Sequence, residues 1–146
     1  MSGRLAVVGL GPGDARWLTP EADAALGDAE ALYGYAPYLD RVPERPTQTR
    51  HPSDNREEAA RAAAALAEAA TGRNVALVSG GDPGVFAMAA AVCEAIERGP
   101  QAWRTLGIEV MLLRRPALPV VASVETIAEA VAWLDHAPAS VADRGV

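Results

Sequence analysis

The sequence is poor in the residues that build disulfide frameworks and aromatic cores. Cys93 is its only cysteine, and its 146 residues hold one Phe, three Trp and three Tyr. A single cysteine excludes an internal disulfide and a cysteine-based metal site. Cys93 falls within the mostly apolar run from Met88 to Ile96, which predicts an inert buried thiol. No stretch reaches the ~18 consecutive apolar residues that span a bilayer. The N-terminus lacks the basic start, long apolar run and cleavage site of a signal peptide, so a cytoplasmic location is expected. Excess positive charge is missing too. The formal net charge is −6 and the pI about 4.9, which argues against nonspecific binding to nucleic acid or anionic membrane despite the Arg114-Arg115 pair. Half of the residues are apolar, mainly Ala, Val and Leu, as in a folded α/β or helical domain.

The stretch Val75-Ala-Leu-Val-Ser-Gly-Gly-Asp-Pro-Gly-Val-Phe86 organises the chain. Val75 to Val78 has strand character, Ser79 to Gly84 is a loop of small residues, and Val85 to Arg98 has helix character up to Gly99-Pro100. Asp82 is placed to cap that helix and Pro83 suits its first position. A strand that ends in glycines and feeds a helix leaves backbone N–H groups at the sheet's carboxyl edge, where α/β proteins bind ligands.

Around it the chain alternates. Arg4 to Leu10 predicts a strand that ends in Gly11-Pro-Gly-Asp14. Gly9-x-Gly11-x-Gly13 is a weak dinucleotide signal, because the third glycine is misplaced and Pro12 lacks an N–H; a tight turn fits as well. Thr19 caps a helix that has Pro20 at its first position and closes at Gly27-Asp28. Ala29 to Tyr35 predicts a strand with Tyr33 and Tyr35 on one face, set for core packing or for stacking a planar ligand. Residues 36 to 55, with four prolines, predict a long irregular lid or interaction loop, with His51 exposed on it and no acidic partner set by spacing. Asp54-x-x-Glu57 predicts a capping box for an alanine-rich helix over 55–71, ended by Gly72. A short helical piece over 101–106 and a strand over 108–113 follow. Val120 to Ala122 reads as extended, and Ser123 caps a last amphipathic helix through Leu134. The tail, 137–146, should fray.

The expected fold class is α/β, a three-layer α/β/α domain with a mainly parallel sheet of four or five strands spanning 1–146. The Gly11–Asp14 and Ser79–Gly84 loops then lie on one edge.

Three segments together carry a family resemblance. They are Val8-Gly-Leu-Gly-Pro-Gly-Asp14 with Leu18-Thr-Pro-Glu-Ala22, Tyr33-Gly-Tyr-x-Pro-Tyr-Leu39, and Val75 to Ala87. Over residues 1 to about 104 the chain resembles the tetrapyrrole (corrin/porphyrin) methylase family, and within it the precorrin-3B C17-methyltransferases of cobalamin biosynthesis. The resemblance implies S-adenosylmethionine (SAM) in a cleft between two α/β domains with a tetrapyrrole beside it. It implies a SAM-side wall at Ser79, Gly80, Gly81, Asp82, Pro83, Val85 and Phe86. Gly11, Pro12, Gly13, Asp14 and Tyr35 then face the substrate. It implies no metal and no catalytic side chain, since methyl transfer from a sulfonium needs alignment more than acid–base chemistry. Asp14 and Asp82 are also adequately explained as caps.

Residues 105 to 136 resemble something else. Leu106 to Pro119 with Val124 to Leu134 is similar to the C-terminal end of precorrin-6A reductases, NADPH-dependent enzymes of the same pathway. This implies a fusion or chimera, natural or engineered, joined near residues 100–108. The expectation is an inherited half-site with little or no methyltransferase activity alone. The alternatives are a scaffold with no catalytic function and a weak nucleotide- or SAM-binding module. Should the chain associate as a homodimer, Tyr35, Tyr38 and Leu39 are the candidate face.

Overall fold

The computed structural model describes residues 3–81, 88–105, 109–113 and 132. The chain divides into two compact units, Met1–Arg115 and Pro116–Val146. Within the second, Ala132 alone is described, in a helix. The expected Asp82 cap with Pro83, the extended piece at 120–122, the Ser123 cap and the fraying tail therefore lie outside the described residues.

The first unit is built on five parallel strands. They are β1 (Arg4–Gly9), β2 (Ala31–Tyr35), β3 (Thr49–Ser53), β4 (Asn74–Ser79) and β5 (Glu109–Leu113), in the spatial order β3-β2-β4-β1-β5. The register between β1 and β4 runs from Arg4 opposite Asn74 to Gly9 opposite Ser79, so both strands end together. Between the strands lie α1 (Pro20–Asp28), α2 (Ala36–Leu39), α3 (Glu58–Ala69), α4 (Met88–Arg98) and α5 (Gln101–Thr105).

Strand alternation divides the core in two. Leu5, Val7, Ala31, Tyr33, Val75 and Leu77 point to one face, where α3 and α4 cover them with Ala62, Leu66, Met88 and Val92. Ala6, Val8, Leu32, Ala76 and Val78 point to the other, beneath Ala22, Leu26, Leu39 and Val42. Both faces are covered, which is why these strands read as near-continuous apolar runs. The three-layer α/β/α expectation holds.

The helix starts follow from their caps. The Thr19 hydroxyl accepts the Ala22 N–H at 3.2 Å, with Pro20 opening α1. Asp54 and Glu57 form the expected capping box, with a short 3₁₀ turn at Asn55–Glu57 leading into α3. Each such cap stabilises by about 0.5–2 kcal/mol.

Three expectations are corrected. Residues 36–55 are not one irregular loop: they hold α2 and the edge strand β3, which pairs parallel with β2 from Thr49 to Ser53. His51 is therefore a strand residue. Its ring stacks on Tyr33 with centroids 4.3 Å apart, and its Nε2 lies 3.6 Å from Glu68 Oε2, an acidic partner that sequence spacing does not reveal. Cys93 is exposed, because the buried stripe of α4 runs through Met88, Ala89 and Val92 and the next residue turns outward. Leu39 is buried, with 2% of its surface accessible, so it cannot belong to an exposed association face. Gly34 explains this burial: a Cβ there would lie 3.0 Å from Leu39 Cγ and 3.3 Å from Val78 Cβ. A side chain there would push Leu39 or Val78 back by a few tenths of an ångström, so glycine favours the close approach of α2 to the sheet.

Candidate functional site

The carboxyl ends of β1 and β4 are joined by the loops that follow them. The Leu10 N–H donates to the Ser79 carbonyl at 2.9 Å, continuing the parallel ladder by one step. One residue further on, the Gly11 N–H donates to the Gly81 carbonyl at 3.4 Å in an antiparallel bridge. The two loops thus turn to run against each other. That reversal uses left-handed backbone at both glycines, with φ of +69° at Gly11 and +59° at Gly81. Residues with a side chain rarely adopt such angles.

Among the described residues, open space lies where a Cβ of Gly13 or Gly81 would project. Gly80 is different: a Cβ there would lie 2.6 Å from Tyr38 Cζ. The Tyr38 ring lies against the Gly80 backbone and meets Tyr35 edge-on, with centroids 5.3 Å apart at 90°. The Gly-Tyr-x-x-Tyr segment is thereby brought to the glycine loop after β4.

Each expected site residue has a definite place. Gly11, Pro12, Gly13 and Asp14 form the loop after β1, exposed from Pro12 onward. Asp14 accepts the Arg16 N–H at 2.9 Å and opens the 3₁₀ turn at Ala15–Trp17; its carboxylate also lies 3.7 Å from the Arg16 guanidinium. Tyr35, half-buried, ends β2. Ser79 is buried as the last residue of β4, and Gly80 and Gly81 follow it. Asp82, Pro83, Val85 and Phe86 lie outside the described residues.

Sequence reasoning missed Arg41. From the turn after α2 it reaches back across the sheet edge. Its Nη2 donates to the carbonyls of Leu10 and Gly11 at 3.3 Å and of Gly13 at 2.9 Å. Three carbonyls converging on one guanidinium nitrogen hold the Gly-Pro-Gly-Asp loop in place. No local motif marks this residue, since its partners are 28–31 positions away.

Two polar clusters lie on the opposite, α3-covered face. The Tyr33 hydroxyl donates to Glu68, whose other oxygen pairs with Arg73. The Tyr33 pKa is pushed up to about 12, first by burial and then by the hydrogen bond to and negative charge of Glu68, with Arg73 opposing. Arg61 is buried, donating to Ser53 Oγ at 2.7 Å and the Asp54 carbonyl at 2.5 Å, with Met88 Sδ 3.3 Å away. Burial lowers its pKa, opposed by the charges of Glu58, Glu57 and Asp54. These clusters bind β3 to α3.

Among the described residues no group of three or more His, Cys, Asp or Glu is arranged to hold a metal ion, and no helix is long and apolar enough to cross a membrane.

Comparison with known proteins decides the family. The model of the tetrapyrrole (corrin/porphyrin) methylases matches residues 4–106. The chain belongs to this methylase family. The precorrin-3B C(17)-methyltransferase of a Sinorhizobium species is 57% identical over 110 residues, covering 75% of this chain and 43% of that protein. The cobalamin biosynthesis protein CobIJ of Mycobacterium tuberculosis strain H37Rv is 47% identical over 144 residues, 99% of this chain and 27% of that protein. The crystal structure of the methyltransferase CobJ superposes with a TM-score of 0.72 at 50% identity, over 77% of this chain and 46% of that one. The chain spans less than half the length of these relatives. The methylase edge at Gly11 and Gly81 lies inside the family match, and so does Arg41.

Proposed function

We propose that the Gly11–Gly81 edge is one wall of the ligand cleft of a SAM-dependent precorrin C-methyltransferase of cobalamin biosynthesis. The observation that carries this reading is the cross-bridge itself. It brings the two glycine loops quoted for the family resemblance within one hydrogen bond of each other, at the carboxyl edge of a parallel sheet.

The residues fit a small polar donor molecule. Open space at Gly13 and Gly81 lets a ligand approach the backbone closely, and a side chain at either position would fill it. SAM, when bound, supplies a methyl group already activated on a sulfonium. The chain's own part is to bind and orient. Gly80 and Gly81 form the donor-side wall, Ser79 supports it from the strand end, and the family resemblance assigns Asp82, Pro83, Val85 and Phe86, outside the described residues, to the same role. Gly11, Pro12, Gly13, Asp14 and Tyr35 form the acceptor side, facing the tetrapyrrole. Arg41 holds the acceptor loop by its carbonyls. No side chain of the wall is needed as an acid or base, because alignment and exclusion of water supply the rate.

We read this wall as one side of the cleft, in a cytoplasmic setting. We read the segment from about 105 to 136 as reductase-like; the family match ends at residue 106, but the 47% identity to CobIJ runs over 99% of the chain and marks no junction there.

Calorimetric titration of the full chain with S-adenosylhomocysteine and, separately, NADPH tests the reading. Heat with S-adenosylhomocysteine alone is expected. Heat with neither favours an inert scaffold, and heat with NADPH alone moves the function to the reductase-like segment.

A further inference from the structure

Beneath the Gly-Pro-Gly-Asp loop, on the α1-covered side of the sheet edge, lies a cavity of about 270 Å³. Its apolar walls include Leu10, Leu18, Leu26 and Val42, and its polar groups are Arg41 and Asp23. The two charges are not equivalent. Asp23 lies 3.8 Å from Arg45 and so has a cation of its own. Arg41 has no carboxylate among the described residues. Its Nη2 is committed to the loop carbonyls, whereas its Nε and Nη1 have no partner among those residues. A guanidinium fork half engaged with backbone and half open beside a cavity is suited to a planar anion.

Size narrows the ligand. Sites for whole drug-sized molecules occupy ~300–1,000 Å³, so this cavity suits a side arm and not a macrocycle. Position narrows it further, because Gly13 lines the cavity and also belongs to the acceptor loop.

We propose that this cavity is a carboxylate subsite that takes an acetate or propionate arm of a tetrapyrrole, with Arg41 as the residue that recognises it. This rests on the acceptor-side reading of the Gly11–Asp14 loop. The apolar walls receive the methylene stem, and the open edge of Arg41 receives the carboxylate. The same side chain then couples recognition to loop geometry, since the nitrogen beside the bound carboxylate holds the Leu10, Gly11 and Gly13 carbonyls.

The test is a fluorescence titration of the full chain with uroporphyrin III and with its octamethyl ester, which presents the same ring without free carboxylates. The free acid is expected to bind at least about tenfold more tightly than the ester, which masks all eight carboxylates; tenfold is the share of one charge-assisted contact. Arg41→Gln should remove that preference and Arg41→Lys restore part of it. Ala15 lines the cavity and is exposed, so Ala15→Glu places a repelling charge there without touching the clamp. It should weaken acid binding about as much as Arg41→Gln while leaving the melting temperature unchanged. Ala15→Glu therefore still tests the subsite if Arg41→Gln misfolds. Equal binding of acid and ester, no binding of either, or indifference to Ala15→Glu overturns the proposal. S-adenosylhomocysteine binding, measured in parallel, separates the readings. Its absence with an intact Arg41 dependence removes the donor site and leaves the subsite standing.

Discussion

Gly80→Ala probes the site where the tyrosine segment meets the glycine loop. The new methyl carbon would lie 2.6 Å from Tyr38 Cζ, 2.8 Å from its hydroxyl oxygen and 3.0 Å from Cε1. Carbon atoms pack at about 3.5–4.0 Å, so the overlap is roughly 1 Å. The atoms hit belong to a ring, which must move as a unit. Moving it gives up the edge-on contact with Tyr35, worth about 0.5–1.5 kcal/mol, and pushes Tyr38 off its rotamer at a similar cost. Against this, alanine restricts the unfolded chain and returns about 0.4–1 kcal/mol. The net expectation is a loss of about 1–2 kcal/mol, read by urea denaturation. The decisive measurement is the double-mutant cycle with Tyr38→Ala. Removing the ring removes the obstacle, so Gly80→Ala should become neutral or slightly stabilising in that background. A coupling energy of about 1–3 kcal/mol is expected. If Gly80→Ala costs the same with and without the Tyr38 ring, Tyr38 does not cover Gly80 and the link between the two segments is wrong.

Three further outcomes follow from the polar clusters and from α4. Tyr33 has a folded-state pKa of about 12 against an ordinary 10.0, so the unfolded chain releases this proton first. Its stabilising effect is complete below pH 10 and is lost as pH rises toward 12, by on the order of 2 kcal/mol; Tyr33→Phe should flatten that limb of the urea-stability profile. Arg61→Ala leaves Ser53 Oγ and the Asp54 carbonyl without their donor and opens a cavity beside Met88. It should cost about 2–4 kcal/mol in chemical denaturation and expose the β3 amides to hydrogen exchange. Cys93, being exposed, should react fully with a thiol reagent in the native protein; reaction only on denaturation would return it to the core.

The parts of this fold that were legible in the sequence are those whose cause is local. β1 and β4 announce themselves because both faces of each strand are buried, and α1 and α3 because Thr19 and Asp54 carry their caps. The two glycine loops are legible as well, since a strand that runs into Gly11 or Gly81 requires a turn. β3 was not. Thr-Arg-His-Pro-Ser has only Thr49 among the residue types favoured in strands, and Pro52 argues against one. It is tolerated because β3 is the edge of the sheet, where a missing N–H costs least. The strand is held by side chains instead. His51 stacks on Tyr33, Ser53 Oγ donates to the Gly34 carbonyl at 3.4 Å, and Arg61 binds Ser53 and Asp54 from α3.

The same physics hid Arg41 from a local reading. Its partners are backbone carbonyls, which every residue carries, so no pattern of residue types reports them. Arg50 has the same role nearby, donating to the carbonyls of Leu39, Val42 and Pro43. The difference between the two is what is left over. Arg50 uses both terminal nitrogens on the turn after α2 and is held there, a structural brace. Arg41 uses one nitrogen and keeps the rest of its fork at the mouth of a cavity. Arg50→Lys should therefore lower stability without changing the preference for uroporphyrin III over its ester, whereas Arg41→Lys should change the preference more than the stability. Equal effects of the two substitutions on both quantities would show that Arg41 is a second brace.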